Sequence, residues 1–297
     1  MKRGALLAVG MLASLLLITS SNARPSVARP KIDPADFQSA ITNPLFPISL
    51  TGPKLFVGKE TDPDTDDMVD TRLESRLLDK TEVVDGVTVA VLEEKAYVDG
   101  ELVEVALDYF AQHKDGSVWY FGERVDNYED GKLKDHAGQW LAGDGDNEPG
   151  TIMPAQLQVG ATHKQELAPD IAEDKATVLA LNETVQVPAG TYQGCLKTLD
   201  FSPLDRGVEE LKWYCPGVGL VKEQGADSVL ELVSAGPAPA AAAPSAAAAS
   251  VVAPATGDGG LAGDVADAWP LITIGAVVAL AGLATLKFVS IRRSERP

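Results

Sequence analysis

The sequence predicts a mainly β protein. Its centre reads as an antiparallel meander forming a curved sheet or half-barrel, with an N-terminal signal peptide before it and one C-terminal transmembrane helix after it. Three observations carry this. Asp-Gly pairs recur at Asp85-Gly86, Asp99-Gly100, Asp115-Gly116 and Asp130-Gly131, 14 to 16 residues apart. The first 28 residues have the layout of an export leader, and an apolar run of 21 residues stands just before the end of the chain.

The leader has a basic start at Lys2 and Arg3, then an apolar stretch from Ala5 to Ile18. Ser21-Asn22-Ala23 and Ser26-Val27-Ala28 offer small-x-small cleavage sites, as a secretory signal peptide requires. Residues 1–28 are therefore assigned to it, and 29–234 to a β-rich extracellular domain.

Within that domain the Asp-Gly pairs separate VTVAVLEEKAYV, ELVEVALDYFAQHK and SVWYFGERVDNYE. Both central residues of such a turn accept positive φ, so each pair predicts a tight hairpin. In the second run Val105, Leu107 and Tyr109 alternate with Glu104 and Asp108. Period-2 alternation puts the two sets on opposite faces of one strand. The apolar set is expected to face inwards and the acids to be solvated. Pro34 to Ile41 is the one stretch expected to form a short helix. KLFVGKE, from Lys54 to Glu60, reads as a strand.

Cys195 and Cys215 are the only cysteines. Tyr192–Phe201 and Val208–Cys215 read as two strands joined by SPLDRG. Folding them so that Cys195 faces Cys215 also sets Leu199 against Leu211 and Lys197 against Trp213. Opposed Cα atoms in an antiparallel pair lie within disulfide range, and export permits oxidation. A disulfide is expected. No C-x-x-C or zinc spacing competes with it.

Residues 235–269 are an Ala/Pro/Gly-rich stalk that could not pack a core. Residues 270–291 contain LITIGAVVALAGLATLKFVSI, long enough as a helix to cross a bilayer. Lys287 can snorkel, and Arg292, Arg293 and Arg296 in the tail at 292–297 place the C-terminus in the cytoplasm. The expected location is the cell membrane, single-pass, with the domain outside.

The formal charge is −18. Without Lys2, Arg3, Arg24, Lys287, Arg292, Arg293, Glu295 and Arg296, 18 basic and 42 acidic residues remain, a net of −24. Such a surface has no phosphate-neutralising patch, which argues against nucleic acid as a partner. The partners expected are the membrane, through the C-terminal helix, and a small-molecule or protein ligand of unspecified identity.

Two resemblances add to this. Ala253-Pro254-Ala255-Thr256-Gly257, followed by an apolar helix and a basic tail, resembles a sortase sorting signal with alanine in place of its leucine. That resemblance implies Thr256 and Gly257 as a cleavage site and the cell wall as a partner. A retained helix is the competing expectation. Separately, Asn43-Pro44 with Phe46-Pro47, KDGSVWYFGE (114–123), IMPA (152–155), VPAGTYQGCLKT (187–198) and GVEELKWYCPGVGLVKE (207–223) resemble an uncharacterised family of exported bacterial β-domain proteins. This implies a secreted antiparallel domain and assigns no activity. The family commonly has alanine where Cys215 stands.

No nucleophile elbow, zincin helix or phosphate loop surrounds His113, His136 or His163, and no enzyme activity or catalytic residue is assigned. Asp62, Asp64, Asp66 and Asp70 occupy the first, third, fifth and ninth positions of a loop resembling an EF-hand opening. Position six is Asp67 and position twelve is Leu73, so a looser calcium turn and a solvated hairpin tip are the readings left open. Calcium is the only cofactor considered. Two functions are expected: a binding or structural module at the cell surface, or a carrier of a lipid or other hydrophobic ligand. The carrier would use a concave face formed by Val105, Leu107, Tyr109 and Trp119.

Overall fold

The computed structural model describes residues 32–62 and 65–237. The signal peptide, most of the stalk, the spanning helix, the basic tail, Asp64, Thr256 and Gly257 lie outside the described residues. Among those described, no helix is long and apolar enough to cross a membrane.

The strands are β1 (Phe37–Gln38), β2 (Lys54–Thr61), β3 (Met68–Val84), β4 (Val87–Val98), β5 (Glu101–His113), β6 (Val118–Glu129), β7 (Lys132–Asp135) and β8 (Trp140–Leu141). They continue as β9 (Glu148–Met153), β10 (Thr162–Lys164), β11 (Glu166–Leu167), β12 (Lys175–Val187), β13 (Gly190–Phe201), β14 (Glu209–Cys215), β15 (Gly219–Gln224) and β16 (Ser228–Ala235). The expected helix after Pro34 is a single 3₁₀ turn, Pro34–Asp36, capped by the Asp33 carboxylate on Ala35 N–H. Phe37 ends it by entering β1, which pairs with β5.

The pairing is antiparallel throughout and runs β10-β12-β13-β14-β15-β16-β2-β3-β4-β5-β6-β9-β11. The two ends of that order are consecutive in the chain. Thr162–Lys164 pairs with β12, and Glu166–Leu167 pairs with β9. The segment from Thr162 to Leu167 therefore bridges the seam, and the sheet is a nearly closed barrel.

Three of the four Asp-Gly pairs are tight two-residue hairpins. Asp85, Asp99 and Asp130 have φ of 47°, 47° and 52°, and the following glycines also have positive φ. This is the geometry whose twist matches the flanking strands. Asp115-Gly116 differs. Only Gly116 takes positive φ, and the loop is longer, closed by His113 N–H donating to the Ser117 carbonyl. The Asp115 carboxylate there accepts from Ser117 N–H and its hydroxyl instead.

Cys195 and Cys215 form the disulfide, with Cα atoms 4.2 Å apart and both residues fully buried. The register beside it pairs Lys197 with Trp213 and Leu199 with Leu211, as the strand reading requires.

Candidate functional site

The registers fix which side chains look into the barrel. One row runs Thr198, Lys212, Glu223, Leu230, Gly58, Thr71, Val98 across seven neighbouring strands. A second runs Lys54, Ser75, Glu94, Ala106, Val125, and a third Leu77, Leu92, Asp108, Glu123. Thr71 and Ser75 stand on the same face of β3, so the three rows share one surface. That surface is the inner one. Glu166 on β11 acts electrostatically on both Asp108 and Lys212, which are far apart in strand order.

This overturns the expected ligand face. The alternation in β5 is as read, but its sense is reversed: Asp108 is 2 % exposed and points inwards, and Glu104 is half-buried. Val105 lies opposite Lys95 and Asp126, and Leu107 opposite Glu93 and Arg124, on the outside. Tyr109 is buried on that outer side, with the Arg124 guanidinium 5.9 Å from its ring. Trp119 packs edge-on to Phe37 of β1, centroids 5.3 Å apart. None of the four lines a concave apolar site.

The interior holds two polar groups. Lys212, 2 % exposed, faces Glu210 at 3.3 Å, Glu223 at 3.6 Å and Asp200 at 3.8 Å. Burial opposes its charge, but Glu223, Glu210 and Asp200 outweigh that and hold its pKa well above the usual lysine value. Burial raises Glu223. One cation among three carboxyls therefore stays charged. Gln165 donates to Asp200 from the seam segment. The hydroxyls of Thr198 and Tyr214, both buried, have no hydrogen-bond partner.

The second group is Glu94, Glu104, Asp108, Glu123 and Glu166. The Tyr120 hydroxyl donates to Asp108 at 2.8 Å. Burial raises Asp108, Glu123 and Glu166 well above ordinary carboxyl values, and nearby acids add to the shift. Burial also pushes Glu104 up to about 7. Lys54, beside Glu94, is pulled down to about 8 by burial. Such acids are neutral when no cation compensates them.

This interior was missed as a site. Counting from the turn did not give it: Gln112 meets Val118 and Phe110 meets Tyr120, and Asp108 meets Glu123 only after a register shift.

On the outside, an open groove of about 570 Å³ crosses β16, β2 and β3 and ends at the Gly100 turn. Val229, Lys59 and Asp70 form one row of it, and Glu231, Val57 and Arg72 the next. Val57 is 39 % exposed at its centre. The charges around it are paired: Lys59 with Asp70, Lys222 with Glu231, and Arg72 with Glu74 while stacked on Tyr97.

In the acidic tip between β2 and β3, Asp66 takes φ 59° and Asp70 is held by Lys59. The Asp62 carboxylate accepts from Thr65 N–H. Among the described residues, no group of three or more His, Cys, Asp or Glu side chains is placed to hold a metal ion.

No family model and no curated protein matches the chain. Among solved structures it is similar to a "putative lipoprotein" from Parabacteroides distasonis, at 15 % identity over 64 % of this chain and 97 % of that one, with a TM-score of 0.31. A likeness at that score carries no argument about fold or function.

Proposed function

We propose that this chain is an exported binding module, held at the cell surface by its C-terminal helix, that takes its ligand in the outer groove over β16, β2 and β3. The leader, the stalk and the apolar C-terminal run support the location. The groove carries the binding reading. Its volume of about 570 Å³ falls within the range of ligand sites, about 300–1,000 Å³.

The chemistry suits an extended peptide. Val57 and Val229 give an apolar floor for a side chain, and lysine, arginine and carboxylates rim it with both signs. Main-chain amides of a peptide can meet such a rim without a net charge. A lipid in the concave face has no comparable support, because Asp108, Glu123, Glu166 and Lys212 occupy that face.

The test is selection of a displayed peptide library on the full-length chain in lipid nanodiscs. Peptides that bind wild type and Val105→Glu but not Val57→Glu support the groove. Peptides that bind Val57→Glu as well as wild type overturn it.

A further inference from the structure

One short stretch of chain closes the barrel. The chain changes partners at Gln165: three residues pair with β12 before it, and only Glu166 and Leu167 pair with β9 after it. The approach at this seam is tight. A Cβ placed on Gly150 would lie 2.0 Å from the Gln165 carbonyl oxygen.

Glu166 occupies this two-pair ladder. It is 1 % exposed, and neither carboxyl oxygen meets strict hydrogen-bond geometry, although the Asp174 main-chain N–H lies close enough to favour its charged form. The groups that act on it come from several elements. Asp108 faces it from β5, Glu123 and the Tyr120 hydroxyl from β6, and Asp174 from the turn before β12. Lys212 on β14 is the one opposite charge acting on it, and Asp200, Glu210 and Glu223 share that lysine. Glu94 and Glu104 bear on Asp108 behind it.

We propose that Glu166–Leu167 is a proton-operated latch: it closes the barrel while Glu166 is protonated and leaves β9 when Glu166 ionises. A buried carboxylate facing other acids, with only the Asp174 N–H and a shared Lys212 to favour its charge, is disfavoured when ionised. Asp108 and Glu123 lie mid-ladder in long strands and cannot leave cheaply. Glu166 needs only two residue pairs to break, and doing so gives its carboxylate to water. The shift of Glu166 by burial agrees in direction. The open seam admits water, and any solute that follows it, to the interior carboxyls. Mild acid holds the Glu166 side shut; His163, half-buried in the neighbouring stretch beside Asp200 and Ile152 of β9, has its pKa lowered by burial and stays neutral there until the acid is stronger.

Amide hydrogen exchange on the full-length chain, corrected for intrinsic rates, tests this at about pH 5 and about pH 8. The open fraction should rise about tenfold for each pH unit between the ordinary glutamate value and that of the closed barrel. Wild-type amides of the seam pair Leu167 and Glu148 should lose protection at the higher pH while β3, β4 and the β12-paired Thr162–Lys164 keep theirs. Glu166→Gln should stay protected at both. Gly150→Ala, a wedge in the seam, should be unprotected at both with β3 and β4 intact. Equal wild-type protection at both pH values overturns the latch. So does loss shared equally by β3 and β4, or a Glu166→Gln chain or a Gly150→Ala chain that responds to pH as wild type does.

Discussion

Asp108 and Glu123 stand directly opposite each other on β5 and β6, each 2 % exposed, with the Tyr120 hydroxyl bonded to Asp108. Two ionised carboxylates opposed in this way repel, and burial removes the water that would screen them. The pair therefore shares protons and titrates as a unit. It sets carboxyls with raised pKa values among the apolar Leu73, Leu92 and Phe110 on the inside of this barrel.

Removing the ionisable group should help the fold where the pair would otherwise be forced to ionise. Asp108→Asn keeps an acceptor for Tyr120 and cannot carry charge. At about pH 8 it should stabilise the domain by about 1–2 kcal/mol, and at about pH 4 it should change little. Denaturant titrations at the two pH values check this.

The whole domain should lose stability as pH rises. Burial raises Glu60 and Glu104 to about 7, above the ordinary value of 4.5. The folded state then binds more protons than the unfolded state between those values, so stability is full below about 4.5 and is lost as pH climbs through about 7. The melting temperature should fall by about 5 °C or more between pH 5 and 8. Calorimetry across that window reads it.

Lys212 should be costly to remove. Lys212→Met leaves Asp200, Glu210 and Glu223 without the cation they surround. Breaking a buried pair from one side costs about 3–5 kcal/mol. The loss should be largest at neutral pH and smaller in acid, where the carboxyls take protons instead. Unfolding of the variant at the two pH values separates this from a packing defect, which would not depend on pH.

The disulfide should act as a staple. Cys195 and Cys215 are fully buried, so reduction of the folded chain should be slow. Replacing both with alanine should cost about 3 kcal/mol, the loop-closure value for a loop of this size. Intact mass with and without reductant confirms the bond, and denaturant titration gives the cost.

What was legible in the sequence was local. Asp85, Asp99 and Asp130 announced their turns because Asp-Gly satisfies two positive φ values at once. Cys195 and Cys215 announced their register through Leu199 and Leu211. Asp115-Gly116 kept its place but not its form, since the Asp115 carboxylate binds Ser117 and lengthens the loop.

The sense of the β5 faces was not legible. Alternation separates Val105 and Leu107 from Glu104 and Asp108, but it does not say which set looks inwards. The rule that apolar side chains go inside gave the wrong sense. The acids are tolerated inside because Tyr120, Lys212 and protons compensate them; Tyr120 comes from the next strand, but Lys212 comes from β14, distant in the chain. Closure at Gln165 depends on the ends of a thirteen-strand order meeting, which no single stretch encodes.

The most direct test of the account is the infrared carbonyl stretch of protonated carboxylic acid, measured on the full-length chain at neutral pH. The account predicts a band from buried acids that survives at pH 7 and weakens in Asp108→Asn and in Glu123→Gln. A wild-type spectrum with no such band at pH 7 would show the interior carboxyls ionised and contradict it.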